Sequence, residues 1–214
     1  MPHRNRVDPF GDLHAVPARG MFTGNRGCLV DENHELVRHH RGDLWITCVL
    51  EYEDWRHPLD EPGIWTPLFF LDEAVALAAG HRPCGFCRRP EYLQYQKAVA
   101  GSGPVPSAID LNRMLARERL RRGRGLERGS DRILWEAELS DLPSGTLIVI
   151  DGQAHLVNGD TVASFGFDGW GESTPGPTRR VDVLTPPTSV GALQNGYQPV
   201  LHESAGRLKS KEPG

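Results

Sequence analysis

The sequence predicts an α+β protein in two parts: an N-terminal α/β module that binds zinc, and a C-terminal antiparallel β-meander module with helices. Three observations predict it. Apolar runs interrupted by Asp151-Gly152 and Asn158-Gly159 spell a meander, because both dipeptides tolerate the φ > 0 that two-residue hairpin turns require. A helix-forming run over residues 72–79 leads into Cys84-Gly85-Phe86-Cys87, which is half of a tetrahedral metal site. Between them, the Gly-Ser-Gly-Pro-Val-Pro stretch at 101–106 opposes helix and strand alike, so the boundary falls near residue 103. The modules are then 1–103 and 104–202, with 203–214 as a disordered tail.

The elements follow in chain order. Gly24, Asn25 and Gly27 mark a turn near the start. Residues 44–52 are β-prone and bounded by charge, which places Cys48 mid-strand. Residues 64–71 form a second strand. Asp72 can then cap a helix to about Ala79, with Gly80 just beyond, where φ > 0 is cheap. Pro90 suits the first turn of a helix through about Ala98. Ser107 or Asp110 caps the next helix, to about Arg121, with Leu111, Met114 and Leu115 inward and its arginines outward. The meander runs over 146–150, 153–157 and 161–165. Residues 181–184 make one more strand, and 189–194 a short helix stopped by Gly196.

Composition narrows the classes of function. Hydrophobic residues are 38% and charged residues 24% of the 214, and no apolar run approaches the ~20 residues of a bilayer span. The first twenty residues lack the apolar stretch of a secretory signal, so a cytoplasmic location is expected. There, cysteines more often hold metal than form disulfides. A net charge of -4 gives no overall pull toward nucleic acid. Yet eight arginines and three acids lie between Arg113 and Arg132, a local charge of +5, which could meet phosphates. No Walker A loop, dinucleotide-binding glycine pattern or Gly-x-Ser-x-Gly elbow is present.

Zn2+ is the expected cofactor. Of the four cysteines, Cys84 and Cys87 share one turn, Cys48 is a third thiol, and the fourth ligand is a choice among Cys28, His57 and His81, with Cys28 favoured. His81 is alternatively a hydrogen-bonding neighbour of the turn. A closed four-sulfur site would be structural; an open place would mean chemistry on water or substrate. The turn superficially resembles that of thioredoxin-like redox proteins, but a helix precedes it here where those have a strand. Pro83-Cys84-x-x-Cys87 also matches the second half of the zinc deaminase signature.

The closer resemblance covers residues 64–92. Glu73-Ala74, then Ala79-Gly80-His81-Arg82-Pro83-Cys84-x-x-Cys87-Arg88, resembles the zinc module of Ada-type methylphosphotriester-repair proteins, with His81 where that family carries an aromatic residue. Cys48 matches one of the family's upstream ligand pair, and Tyr52 stands four residues on. The likeness implies a zinc module that supports binding of nucleic acid in repair or damage response, with Arg82, Arg88, Arg89, Arg117, Arg121, Arg122 and Arg124 as candidate contacts. The chain as a whole resembles a group of bacterial proteins, a likeness that implies no activity. Two alternatives remain open at this point: a zinc-dependent hydrolase or deaminase, and a structural or protein-interaction module. For an enzyme, His34, His39 and His40 offer a base, and the glycine-rich loop at 166–178 a lid. The aromatic residues Trp45, Trp55, Trp65, Phe69 and Phe70 are read as core.

Overall fold

Short strands fill the first half of the chain before any helix forms. In the computed structural model, which describes residues 2–53, 55–56 and 64–206, the strands β1 (Arg6–Val7), β2 (Leu13–His14), β3 (Phe22–Asn25) and β4 (Ile46–Cys48) come first. The hairpin β5 (Glu51–Tyr52) and β6 (Trp55–Arg56) follows, then β7 (Leu68–Phe70), helix α1 (Glu73–Ala78) and β8 (Arg82–Pro83). One six-stranded sheet takes the order β2-β1-β7-β3-β4-β8. Gly24 and Asn25 therefore belong to a strand, where a turn was expected. Glycine is needed at 24 because a Cβ there would lie 2.1 Å from the Ile46 carbonyl oxygen of the neighbouring strand. The expected long strand at 44–52 also stops at Cys48, and β5 turns away as a separate hairpin with β6.

Helix α1 matches its sequence signals. Asp72 accepts from the Val75 N–H as N-cap, and Gly80 follows with φ 88°. All six helical residues are buried, so this helix has no polar face and belongs at the centre of the molecule. Helices α2 (Arg89–Ala100) and α3 (Ala108–Arg119) lie on either side of the 101–106 segment. The N-cap of α3 is Ser107, whose hydroxyl accepts from the Asp110 N–H at 3.2 Å and donates to the Asp110 carboxylate at 2.6 Å. Ser107→Ala should cost about 1 kcal/mol, read as a lower urea midpoint with an unchanged slope.

The second half builds a seven-stranded sheet from β9 (Trp135–Glu138), β10 (Leu147–Ile150), β11 (Gln153–Asn158), β12 (Thr161–Gly166), β13 (Gly169–Trp170), β14 (Thr174–Pro175) and β15 (Arg180–Val183), followed by α4 (Pro187–Gln194). The order is β13-β12-β11-β10-β15-β9, with β14 beside β12. Asp151 and Gly152 both take positive φ, 50° and 76°, as a type I′ turn requires. The next turn shifts by one residue from the expected Asn158-Gly159. Asn158 pairs with Thr161, so Gly159-Asp160 is the connection, with only its first residue at positive φ; that is the type II′ demand for glycine. The glycine-rich 166–178 loop is likewise not a free lid: β13 and β14 fold back on β12, and the buried Trp170 donates its indole N–H to Asp72 at 2.7 Å.

Residues from both predicted modules share one core: Val7, Leu68 and Val75 cluster with Leu147, Leu156 and Leu184, and α1 touches both β7 and β10. The tail expected to be disordered from residue 203 starts as a 3-10 turn, Glu203–Ala205. It is held because Ala205 is buried and the Ser204 hydroxyl accepts from the Trp170 N–H at 2.7 Å. Residues 207–214 lie outside the described part. No helix among the described residues is long and apolar enough to cross a membrane.

Candidate metal centre

Two strands that are remote in sequence bring the thiols together. β4 and β8 run parallel, with Ile46 opposite Arg82 and Thr47 opposite Pro83, and the ladder continues as the Cys84 N–H donates to the Thr47 carbonyl at 2.9 Å. Cys48, which ends β4, thereby meets the turn that starts at Cys84. The turn closes on itself when the Arg88 N–H donates to the Cys84 carbonyl at 3.2 Å, which swings Cys87 back over its partner. The three sulfurs of Cys48, Cys84 and Cys87 lie within 4.8 Å of one another. Sulfurs at 2.3 Å from a tetrahedral Zn2+ stand about 3.8 Å apart, so a small contraction would seat an ion.

The electrostatics of the three thiols suit a cation. Cys48 and Cys87 donate toward the Cys84 sulfur, and with the Phe86 and Cys87 N–H groups they pull its pKa down to about 2. Cys48 is pushed far up by the same sharing with Cys84 and Cys87 and by burial. A single negative charge is thus divided among three sulfurs, and a divalent ion would replace the remaining protons. Cys48 and Cys84 are buried while Cys87 is half-buried, so the group opens on the Cys87 side. There the Tyr52 and Phe86 rings meet with centroids 5.1 Å apart, and Phe86 is 74% exposed.

No protein-family model, no curated protein and no solved structure matches the chain.

Cys28, favoured from sequence as the fourth ligand, does not join the group. Register explains why: Cys48 lies opposite Thr23, and Cys28 is five residues further along the antiparallel partner, past the end of β3. Its thiol donates to the Val30 carbonyl at 3.4 Å. His81 is also not a ligand. It is fully buried, between the rings of Phe70 at 4.7 Å and Trp45 at 5.1 Å, and neither ring nitrogen has a hydrogen-bond partner. His57 lies outside the described residues.

The candidate nucleic-acid contacts divide by burial. Arg82 and Arg88 are buried and brace the cysteine turn instead of facing solvent. Arg82 donates to Asn112 and to the Pro83 carbonyl, both at 2.9 Å, and lies over the Tyr92 ring. Arg88 pairs with Glu73 at 2.9 Å and lies over Phe22. Arg89, Arg117, Arg121, Arg122 and Arg124 are exposed. Not every arginine of the +5 segment points outward: Arg119, Arg128 and Arg132 are buried. Sequence reasoning also missed Arg26, which is fully buried with Nη1 2.8 Å from His39 Nε2. That ring nitrogen also lies 3.0 Å from the Gly11 carbonyl, and His39 Nδ1 lies 3.0 Å from His40 Nδ1. Adjacent histidines would diverge on a strand; they converge here because residues 39 and 40 sit in a loop. Burial, with Arg26 beside it, drives His39 down to about 2, which disqualifies it as a base near neutrality.

Proposed function

We propose that Cys48, Cys84 and Cys87 hold one Zn2+ and that the protein binds nucleic acid beside it, in the manner of a repair or damage-response protein. The observation that carries the reading is the convergence of three thiols from two distant segments within 4.8 Å. Soft thiolates select zinc, copper(I) or iron–sulfur clusters. Clusters of the common types take four cysteines, and among the described residues only three gather, which favours a single ion. Support for nucleic acid comes from the exposed Arg89 two residues after Cys87, from the exposed Arg117, Arg121, Arg122 and Arg124, and from the Tyr52 and Phe86 rings, on which a base could stack.

One observation favours a second reading. A zinc ion with three protein ligands keeps a place for water or substrate, and the half-buried Cys87 puts that place toward solvent. A zinc-activated water would then serve a hydrolase or deaminase.

Elemental analysis of purified protein should find one zinc per chain. Cys84→Ser should weaken zinc binding by more than about 100-fold, whereas Cys28→Ser should leave the stoichiometry intact. Cobalt substitution separates the readings, since exchangeable water on a three-sulfur centre would favour catalysis. Fluorescence anisotropy with single-stranded and duplex DNA at low and moderate salt tests the partner. Zinc-free protein at full cysteine reduction, or DNA binding that is absent or insensitive to salt, would remove the corresponding half of the proposal.

A further inference from the structure

A cleft of about 280 Å3 opens between the loop at 40–45 and the C-terminal end of α3. Its walls carry Arg119, Arg121, Arg122 and Arg128, with His40 and Trp45. Trp45 is nearly fully buried, and two guanidiniums flank its ring: Arg119 with Cζ at 4.0 Å and Arg26 with Cζ at 4.5 Å. Neither of these arginines meets a carboxylate in an ion pair among the described residues. Arg119 gives N–H groups to the Gly80 and Asp43 carbonyls at 3.0 and 2.7 Å, using two of five donors. Arg26 gives its own to His39 and to the Gly11 carbonyl, and its Nε has no partner. Behind them, among the described residues, Arg132 donates to the carbonyls of Ala78, Ala79 and Leu184 and pairs with no carboxylate.

The acids nearby are largely engaged. Asp12 accepts from the Arg128 and Gly129 N–H groups, and Asp131 pairs with Arg128 Nε at 2.6 Å. Asp43 is the acid on the cleft wall. Burial lowers Arg26 and Arg119 to about 9, still well above neutrality, so both stay charged at pH 7. Positive charge kept in a low-dielectric wall without a paired anion costs free energy, and an anion seated in the cleft would offset it. Guanidinium forks match phosphoryl oxygens in pairs. The volume is small for a drug-sized ligand and suits a phosphoryl group with part of whatever carries it.

We propose that this cleft binds a phosphoryl group through Arg119, Arg121 and Arg122, with Trp45 as the rigid plate that aligns the Arg119 guanidinium. The inference deepens the nucleic-acid reading and rests on it only for the source of the phosphoryl group. Trp45 and Cys48 are three residues apart along one extended run, about 10 Å.

Calorimetric titration of the full chain at low ionic strength, with inorganic phosphate, pyrophosphate and a single-stranded oligonucleotide in separate arms, tests the cleft. Arg121→Gln/Arg122→Gln removes two exposed side chains and should preserve the fold. Arg19→Gln/Arg179→Gln removes the same charge from positions outside the cleft. Pyrophosphate affinity should fall at least tenfold in the first variant and change less than twofold in the second. Oligonucleotide affinity should fall in parallel if the phosphoryl group belongs to a nucleic-acid backbone. Absence of binding by both inorganic probes, or an equal loss in both variants, would overturn the proposal. Oligonucleotide binding that survives in the first variant, with both inorganic probes silent, would reject the cleft and leave the nucleic-acid reading standing. Pyrophosphate binding without oligonucleotide binding would do the reverse.

Discussion

Replacing Glu73 with alanine is expected to destabilise the protein by about 3–5 kcal/mol, the range for removing one partner of a buried ion pair. Glu73 is 1% and Arg88 2% exposed. One carboxylate oxygen accepts from Arg88 at 2.9 Å and from the Tyr197 hydroxyl at 2.6 Å, and the other accepts from the Val200 N–H at 3.0 Å. Truncation would leave a guanidinium and a phenol buried without their acceptor and free the Val200 N–H, and each buried orphan carries its own desolvation cost. Burial and Glu73 together push the Tyr197 hydroxyl far up in pKa, so it stays a donor at all ordinary pH and cannot relieve the loss by ionising. Glu73→Gln keeps one acceptor oxygen, enough for Tyr197 or Val200 but not for both, and loses the charge that faces Arg88, so it should fall between wild type and alanine. Urea unfolding at constant pH reads the effect as a lower midpoint with an unchanged slope. A loss below about 1 kcal/mol would mean that the pair contributes little and that Arg88 finds solvent.

The same residue links stability to the metal centre. Arg88 follows Cys87 directly and stands at the N-cap of α2, so the ion pair with α1 fixes the exit of the cysteine turn. Zinc affinity should therefore fall in Glu73→Ala although no ligand has changed.

What could be read from the sequence, and what could not, divides along locality. The Asp72 cap, the glycine after α1 and the Asp151-Gly152 turn obey rules that span a few residues, and the structure has each of them. The Cys84 and Cys87 half-site is local in the same way. The third thiol rested on counting cysteines and on the likeness to the Ada-type module, because its juxtaposition depends on the parallel pairing of β4 with β8, which no local pattern announces. The same sheet register carries Cys28 away from the group. Glycine at 24 is a turn residue by propensity, yet the close approach of the Ile46 carbonyl makes it a strand residue. The arginines misled for a related reason. A charge run is usually a solvated face, but Arg119 and Arg132 cap otherwise unsatisfied carbonyls at the end of α1 and just beyond it, and that demand arises only once α1 is buried on every side.

Acid should unfold this protein early, and the buried imidazoles are the reason. Burial, with Arg26 and Arg119 beside it, holds His81 well below the ordinary 6.5, and Arg132 and His39 push the same way. His39 is lowered to about 2 and the half-buried His40 to about 4. A histidine whose pKa is depressed on folding binds fewer protons in the native than in the unfolded state. Its contribution is therefore complete above the unfolded pKa near 6.5 and is lost as pH falls toward the folded value. Well below the unfolded pKa each pH unit costs about 1.4 kcal/mol per such group, so His39 alone removes roughly 2 kcal/mol between pH 6.5 and 5, and His81 adds a loss of the same sign. His14, raised by the hydrogen bond that it donates to Asp8, works in the opposite sense but is more exposed to solvent. Burial also raises Asp72, which would act at lower pH. Urea midpoints at pH 7.5, 6 and 5 test the slope, and His81→Phe isolates its source from any acid release of metal. That substitution puts a ring of similar size between Trp45 and Phe70 and removes two buried nitrogens that have no partner. It should stabilise the protein at pH 7 by about 1 kcal/mol and flatten the acid dependence by about one proton. A slope that His81→Phe leaves unchanged would show that His81 keeps its ordinary pKa through water reaching the ring, and the dry aromatic packing around it would have to be abandoned.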